Sequence, residues 1–489
     1  MAANISRRTF LRGTLAGAVV VAGFDVGLRS WVSAAELEHH ATALADDFPA
    51  FDGVLLLDEA SRAAAADDFG HLVHRQPLAV LRPGSVTDVL KLVRFAQRNN
   101  IKVAARGQGH STQGQSQVEA GVVVDMAMLG IVHEINPTNA LVDGGTRWLD
   151  LLAQTIPQGL TPPTLVDFLE LSVGGTLSLG GIGSQAFRYG PQVDNVLELQ
   201  VVTGAGELVS CSPTHNTALF EAARAGLGQF GLIVRARVRL IPAPQNARLY
   251  QAFYSSLPQF LSDMEKLIDD GRFDTVQGFA VPDGAGNWLY QLETTKYFSP
   301  GHEPDDASLL GGLDFNPGTD SAQDMTYFDY LNRLAPLVAF LRQIGVWAFP
   351  HPWVNLFVPS ANAQTFIGET LATLTVDDVG QGPILIYPFN RQLFRAPFFS
   401  VPNSSHFFVF ALLRNAVPPT PERVDELIAA NRILFERAMM LGGKRYPFDS
   451  VPMTRLDWHK HYQPLWGDFV SAKGHFDPSN ILTPGQGIF

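Results

Sequence analysis

Arg106-Gly107-Gln108-Gly109-His110-Ser111 places an imidazole among small residues directly after an apolar run, Ile101 to Ala105. Glycines at a strand end let backbone N–H groups approach a pyrophosphate without Cβ interference. The Gly-x-Gly spacing resembles a Rossmann fingerprint. However, no third glycine opens a helix, and a histidine stands where the chain should simply turn. A second small-residue tract runs Ser172-Val173-Gly174-Gly175-Thr176-Leu177-Ser178-Leu179-Gly180-Gly181-Ile182-Gly183. Either tract alone also suits an ordinary tight loop, but two in one domain suit an extended dinucleotide better than a single phosphate. Between them, Asp167 lies among Leu165-Val166 and Phe168-Leu169, where a carboxylate placed for solvation alone is unusual. Burial there favours a shared proton, making Asp167 a candidate proton acceptor. The bland reading of a lone loop Asp is a cap or turn residue.

These residues need a scaffold, and the pattern predicts one of α+β class. A strand over Leu78–Leu81 is followed by the turn Arg82-Pro83-Gly84-Ser85. Ser85 is placed as N-cap of a helix from about Val86 to Arg98, with Val89, Leu90, Leu92, Val93 and Ala96 on its apolar face. With Ile101–Ala105 this makes a βαβ unit, followed by the loop Arg106–Gln117 and a strand over Gly121–Met126. Further strands are expected at Ile131–Ile135 and Ala140–Gly144, and a helix at Trp148–Ile156. Gly204-Ala205-Gly206 marks a hairpin between Leu197–Thr203 and Glu207–Ser212. Leu227–Leu240 alternates as one long strand, with Leu232, Val234, Ala236, Val238 and Leu240 on one face.

The character changes at Pro242–Pro244. Beyond it, strands mix with longer amphipathic helices, Phe260–Asp270 and Pro421–Leu441, and the glycine clusters stop. The expected division is 1–35 as an export signal, 36–240 as a cofactor domain, 241–440 as a substrate domain, and 441–489 as a return to the first domain.

The chain has 489 residues, enough for two domains with a shared core, and its 46% hydrophobic and 17% charged content is globular. Net charge is −12 and no basic stripe follows residue 12, which argues against a nucleic-acid partner. Ser6-Arg7-Arg8-Thr9-Phe10-Leu11 is a twin-arginine pattern, followed by an apolar run, Gly13 to Phe24, and by Ser33-Ala34-Ala35, which suits a signal peptidase. The run is too short and glycine-rich for stable membrane insertion, so a periplasmic or extracellular location is expected. Cys211 is the only cysteine, which excludes an intrachain disulfide and a Cys-based metal site; no metal is expected.

The order Arg-Pro-Gly-Ser, Gly-x-Gly-His-Ser, Val-Gly-Gly-Thr-Leu-Ser resembles the FAD-binding fold of vanillyl-alcohol oxidase-like (PCMH-type) flavoenzymes. The closer resemblance is to cytokinin dehydrogenases. It is carried by Gly109-His110-Ser111-x-x-Gly114-Gln115, by Asp167-Phe168-Leu169-x-Leu171-Ser172-Val173-Gly174-Gly175-Thr176-Leu177-Ser178, and by Gln185-Ala186-Phe187-Arg188-Tyr189-Gly190-Pro191-Gln192. Later come Gly226-Leu227-Gly228-Gln229-Phe230-Gly231, Pro350-His351-Pro352-Trp353-Val354-Asn355-Leu356-Phe357-Val358-Pro359, Gly382-Pro383-Ile384-Leu385-Ile386-Tyr387-Pro388 and the tail from Phe476-Asp477-Pro478 to Phe489. The likeness runs from about residue 75 to the last.

This resemblance implies a PCMH-type FAD-binding domain plus a second cap or substrate domain of mixed sheet and helices. It implies that His110 carries FAD covalently through the flavin 8α-methyl. Ala105, Arg106, Gly107, Gln108, Gly109, Ser111 and Gln115 would contact the flavin or its phosphates. Asp167, Ser172, Ser178, Ile182 and Ile233 would continue the site, and Tyr446, Thr483 and Gln486 would close it.

The implied substrates are N6-substituted adenines, oxidised at the side-chain amine to an imine that hydrolyses to adenine and an aldehyde. Asp167 would be the proton acceptor, and oxygen or a quinone the electron acceptor. Gln277, Trp353, Asn355, Tyr387 and Pro388 would face the substrate. Two departures stand out: Gln277 replaces the Glu of plant-type members, and Tyr446-Pro447-Phe448 replaces the usual Tyr-Leu-Pro. Two other readings fit the residues: a same-fold flavoenzyme acting on a sugar, lactone or alcohol, and a flavin-loaded binding protein without turnover.

Overall fold

Strands made of continuous apolar runs need cover on both faces, and three such runs form the parallel centre of the first sheet. In the computed structural model, which describes residues 19–25, 30–33 and 48–489, this sheet contains β1 (Val54–Leu56), β2 (Ala79–Arg82), β3 (Val103–Arg106) and β4 (Val122–Asp125). The order is β1-β2-β4-β3, with β4 parallel to both neighbours and inserted between the arms of the expected βαβ unit. The connecting helix α1 (Val86–Arg98) buries Val89, Leu92, Val93 and Phe95 against it. Ser85 stands at the N-cap in extended conformation but makes no capping bond. Its hydroxyl donates to Asp52, while Asp88 accepts the backbone N–H groups of Gly84, Gly53 and Asp52. Asp88 thus ties the turn before the helix to the segment Asp52–Gly53 and does not cap the helix's own first turn. The tail joins the free edge of β3: Val103 N–H donates to Ile481 O and Thr483 N–H to Val103 O, each at 2.8 Å.

A second, antiparallel sheet contains β5 (Val132–Asn136), β6 (Asn139–Asp143), β7 (Val196–Thr203), β8 (Leu208–Cys211) and β9 (Gly231–Arg239), ordered β8-β7-β9-β6-β5. The long strand expected from Leu227 begins only at Gly231, because Leu227 and Gly228 both take positive φ, 55° and 69°. Its apolar face is also not continuous. The register slips between Gln200 and Val201, leaving Val234 without an opposite residue. This bulge reverses the alternation: Leu232 and Val234 pack with the parallel sheet, whereas Ala236, Val238 and Leu240 pack in the other core. The tract Ser172–Gly183 forms the short helix α2 (Val173–Leu179) and the turn after it.

The second half builds one eight-stranded sheet from β10 (Asn246–Tyr254), β11 (Thr275–Pro282), β12 (Trp288–Phe298), β13 (Ser321–Thr326), β14 (Val354–Pro359), β15 (Ile384–Asn390), β16 (His406–Leu412) and β17 (Lys444–Arg445), ordered β13-β10-β12-β11-β15-β16-β14-β17. Side chains alternate across it. Ile384, Ile386, Phe408, Phe410 and Leu412 share a core with Phe260, Met264 and Leu267 of α3 (Leu257–Asp270). Tyr387, Phe389, Phe407, Val409 and Ala411 of the same strands turn the other way and pack in a core with the second sheet.

At the N-terminal side, Val21–Asp25 pairs with Ser30–Ser33 as a hairpin, with Phe24 and Trp31 packed against Phe95 of α1 at 5.4 and 5.8 Å between ring centres. These residues fall within the stretch expected as a signal. The twin-arginine pattern, Ala34 and Ala35 lie outside the described residues. Among the described residues no helix is long and apolar enough to cross a membrane.

Candidate active site

The inner face of the eight-stranded sheet and the glycine tracts of the first half enclose a cavity of about 800 Å³. The loop after β3 supplies one wall: Ala105, Gly107, Gln108, Gly109, His110 and Ser111 all line it. Ser172, Ser178, Ile182 and Ile233 line the next wall, and Gln115, Tyr446, Thr483 and Gln486 close it from the far side. Small residues are required here. A Cβ on Gly107 would lie 2.1 Å from Ser172 Oγ, and one on Gly174 would lie 2.9 Å from Gly144 O. Tyr446 fixes the second tract by accepting the N–H of Gly181 at 3.0 Å, while Ser178 and Thr483 donate to the carbonyls of Gly174 and Gly228. The Gln115 side chain is spent on the protein, donating to Asp449 O at 2.8 Å.

Arg106 does not line the cavity. Its guanidinium lies beneath Gly109 and donates to Asp67 O, so it supports the loop from behind.

His110 stands in an aromatic box. Phe69 stacks on it at 4.1 Å, with Phe168 at 4.8 Å, Trp353 edge-on at 5.7 Å and Trp347 at 6.0 Å. Burial, reinforced by nearby His351 and Arg342, pushes the His110 imidazole down to about 3. At neutral pH it is uncharged and keeps the lone pair that a nucleophile needs.

Asp167 is half-buried rather than enclosed by apolar side chains. Arg333 Nη2 donates to its Oδ1 at 2.9 Å and the Tyr387 hydroxyl donates to its Oδ2 at 2.7 Å. The same Arg333 nitrogen donates to Gln277 Oε1 at 3.2 Å, and Gln277 Nε2 donates to Glu293. Gln277 and Glu293 face each other directly across β11 and β12. Glu293 lies 3.6 Å from Arg333 Nε, so one cation is shared between two carboxylates.

Trp353, Asn355, Tyr387 and Gln277 all reach the cavity, as do Leu385, Val409 and Ala411. Pro388, expected beside them, does not line it. It pairs with Phe408 on β16, and strand alternation that turns Leu385 and Tyr387 inward turns residue 388 to the helix-covered face. Two buried donors in the wall, Trp353 Nε1 and Asn355 Nδ2, have no partner among the described residues. Buried donors left this way favour a ligand that supplies acceptors. The small-residue cradle therefore fits a dinucleotide, and the flat second-domain wall fits a planar molecule with polar edges.

Five contributors escaped the sequence reading: Asp68, Phe69, Glu293, Arg333 and Trp347. Arg333 and Glu293 each had a signal. Arg333 is an isolated cation before Leu334-Ala335-Pro336, and Glu293 is the one carboxylate of an otherwise neutral or basic strand.

Two family models match the chain. A family described as "Cytokinin dehydrogenase 1, FAD and cytokinin binding" matches residues 280–489, and an "FAD binding domain" matches residues 77–212. The chain is 41% identical to an "Uncharacterized oxidoreductase ORF5 in fasciation locus" of Rhodococcoides fascians, over 88% of this chain and 98% of that protein. It is 38% identical to cytokinin dehydrogenase 5 of Oryza sativa subsp. japonica, over 89% of this chain and 91% of that protein. It is 37% identical to cytokinin dehydrogenase 4 of Arabidopsis thaliana, over 89% and 92%. With an FAD-binding domain, a second domain facing it across one cavity, and relatives aligned over nearly their whole length, the chain belongs to the cytokinin dehydrogenase family of FAD-dependent oxidoreductases.

Proposed function

We propose that the chain oxidises the N6 side-chain amine of isopentenyladenine-type cytokinins to an imine, which water cleaves to adenine and an aldehyde. The observation that carries this reading is Asp167, a carboxylate in the cavity wall oriented by Arg333 and Tyr387, in the same cavity as the donors of Trp353 and Asn355 that have no partner among the described residues. Oxidation at the amine removes one proton from nitrogen and one hydride from the adjacent carbon. Asp167 takes the proton. Bound FAD supplies the hydride acceptor. Trp353 presents an aromatic edge to the ring, and the Asn355 amide donates to its polar rim. Leu385, Val409 and Ala411 keep that side dry.

His110 is the residue we assign to a covalent tether, its neutral imidazole being held ready by the aromatic box. Ala105, Gly107, Gln108, Gly109, Ser111, Ser172, Ser178, Ile182, Ile233, Tyr446, Thr483 and Gln486 complete the FAD site. The FAD-binding domain spans 36–240, the substrate domain 241–440, and 441–489 returns to the first. Dioxygen or a quinone takes the electrons onward. Arg7 and Arg8 direct export of the folded, loaded protein by the twin-arginine route to the periplasm or exterior.

The test is anaerobic mixing of purified protein with isopentenyladenine while the visible flavin band is followed. Bleaching is expected. Bleaching by sugars or alcohols alone would replace the substrate assignment.

A further inference from the structure

We propose that Asp68 is a positioning residue for flavin attachment, clamping the loop that presents His110. The inference rests on the reading that His110 carries the flavin. Asp68 is 3% exposed, and its two oxygens collect two donors from the part of that loop after His110 and one from Asp68's own segment. Oδ2 accepts the Gly114 N–H at 2.7 Å and the Ser111 hydroxyl at 3.1 Å, and Oδ1 accepts the Gly70 N–H at 3.1 Å. The adjoining backbone binds the same loop: Phe69 N–H donates to Gly109 O at 2.8 Å and Gly70 N–H to Ser111 O at 3.2 Å. This brings the Phe69 ring flat against His110 at 4.1 Å and against His351 at 4.0 Å.

The clamp is needed because of its hinges. Gly109 and Gly114, with φ of 65° and 71°, bracket His110, and glycine in that region holds its conformation weakly without outside contacts. Three donors converging on one side chain call for an acceptor-only group with two oxygens. An amide would turn an N–H toward another N–H in either orientation. Burial pushes the Asp68 carboxyl up to about 6 against the pull of those donors and of Arg106. Nothing in the proton transfer assigned to Asp167 uses it.

Attachment exchanges one C–H of the flavin 8α-methyl and the N–H of the imidazole for a C–N bond, and the two protons and two electrons released pass to dioxygen or another two-electron acceptor. The imidazole nitrogen must therefore be held on line with one carbon, and misplacement by about 1 Å at a reacting centre costs up to roughly a hundredfold in rate.

The experiment uses full-length protein made in a flavin-replete host, comparing flavin bound in the native state with flavin kept in the pellet after acid precipitation. Native-type protein is expected to keep its colour in the pellet. Asp68→Asn should stay yellow when native yet keep roughly tenfold less colour in the pellet. Equal pellet colour in Asp68→Asn overturns the proposal, as does loss of flavin from its native state, which marks a collapsed site. A colourless pellet from the native-type protein instead takes down the tether itself and this inference with it. If Asp68→Asn is insoluble, Ser111→Ala and Phe69→Leu leave the backbone clamp intact and serve in its place. Less colour in the pellet at unchanged native flavin content is expected in both, and pellet colour equal to that of the native-type protein overturns the proposal.

Discussion

Arg333 holds Asp167 through a 2.9 Å contact between Nη2 and Oδ1, joining two residues 166 positions apart in sequence. A carboxylate gripped by a guanidinium and a tyrosine hydroxyl has its lone pairs directed, so it can receive a proton from one direction. Arg333 does not neutralise Asp167 alone, because Glu293 shares the same cation. Burial works against the Arg333 charge, and the surrounding Tyr330, Asp167, Glu293 and Tyr387 outweigh it, so the guanidinium stays charged throughout.

Removing the Asp167 charge should therefore leave the cofactor site standing and slow the chemistry. In Asp167→Asn, flavin content is expected to be unchanged and anaerobic flavin reduction by isopentenyladenine to fall about a hundred- to ten-thousandfold. Tyr387→Phe removes one neutral donor and leaves the ion pair, so its loss should be smaller. A stopped-flow trace for Asp167→Asn that overlays the native one would take the carboxylate out of the reaction.

Gln277 is tuned to its neighbours. Its Nε2 donates to Glu293 and its Oε1 accepts from Arg333, so both ends of the amide are used. Gln277→Glu sets a second carboxylate against Glu293 with one cation between them. The expected cost is about 1–3 kcal/mol of stability, read as a lower urea midpoint. A midpoint at or above the native value would mean that Arg333 neutralises both carboxylates fully.

Local pattern carried the scaffold of this site, but non-local pairing decided its chemistry. The helix Val86–Arg98 was legible to the residue because its apolar face repeats with the helical period. The strand from Leu227 was legible only in its second part, since positive φ at Leu227 and a bulge at Val234 leave no mark in hydropathy. Pro388 was misplaced for a related reason: being next to Tyr387 in a strand means facing away from it. Arg333 was invisible as the partner of Asp167, and Glu293 as a second carboxylate on that cation, because an arginine in the turn between two helices and a strand glutamate come together with Asp167 and with each other only when the two halves close over the cavity. His110 stood out because its environment, two glycine-rich tracts in one domain, is written in consecutive residues.

His351 should make the protein acid-sensitive. It is buried, and burial pushes its imidazole down to about 4 although Nδ1–H donates to Phe69 O at 3.0 Å. The unfolded chain binds a proton below about 6.5 and the folded one only below about 4. Stability is therefore fully present above pH 6.5 and falls as pH drops through that window, by about 3 kcal/mol from this residue. Asp68 acts in the opposite sense: raised to about 6, it favours the folded state as pH falls toward its ordinary range. His351→Asn keeps a donor for the Phe69 carbonyl without the titration. The gap between denaturant midpoints at pH 7 and pH 4.5 should narrow for this variant, the buried imidazoles of His110 and His461 keeping part of it, and an unchanged gap would remove His351 as a cause.

Asn355 offers a test in which stability and substrate binding move apart. Its Nδ2 is buried in the cavity wall without a partner among the described residues, so with no ligand against it the amide is a cost. Asn355→Leu should leave the melting temperature unchanged or raised, because it exchanges an unpaired donor for apolar packing beside Val409 and Ala411. The same change removes a donor from the cavity wall, and on the proposed function the KM for isopentenyladenine should rise about ten- to a hundredfold, with the rate of flavin reduction at saturation little altered. A lower melting temperature with an unchanged KM would assign Asn355 to the framework of β14, where its backbone already bonds Asp449 and Tyr446, and would leave Trp353 to read the ring alone.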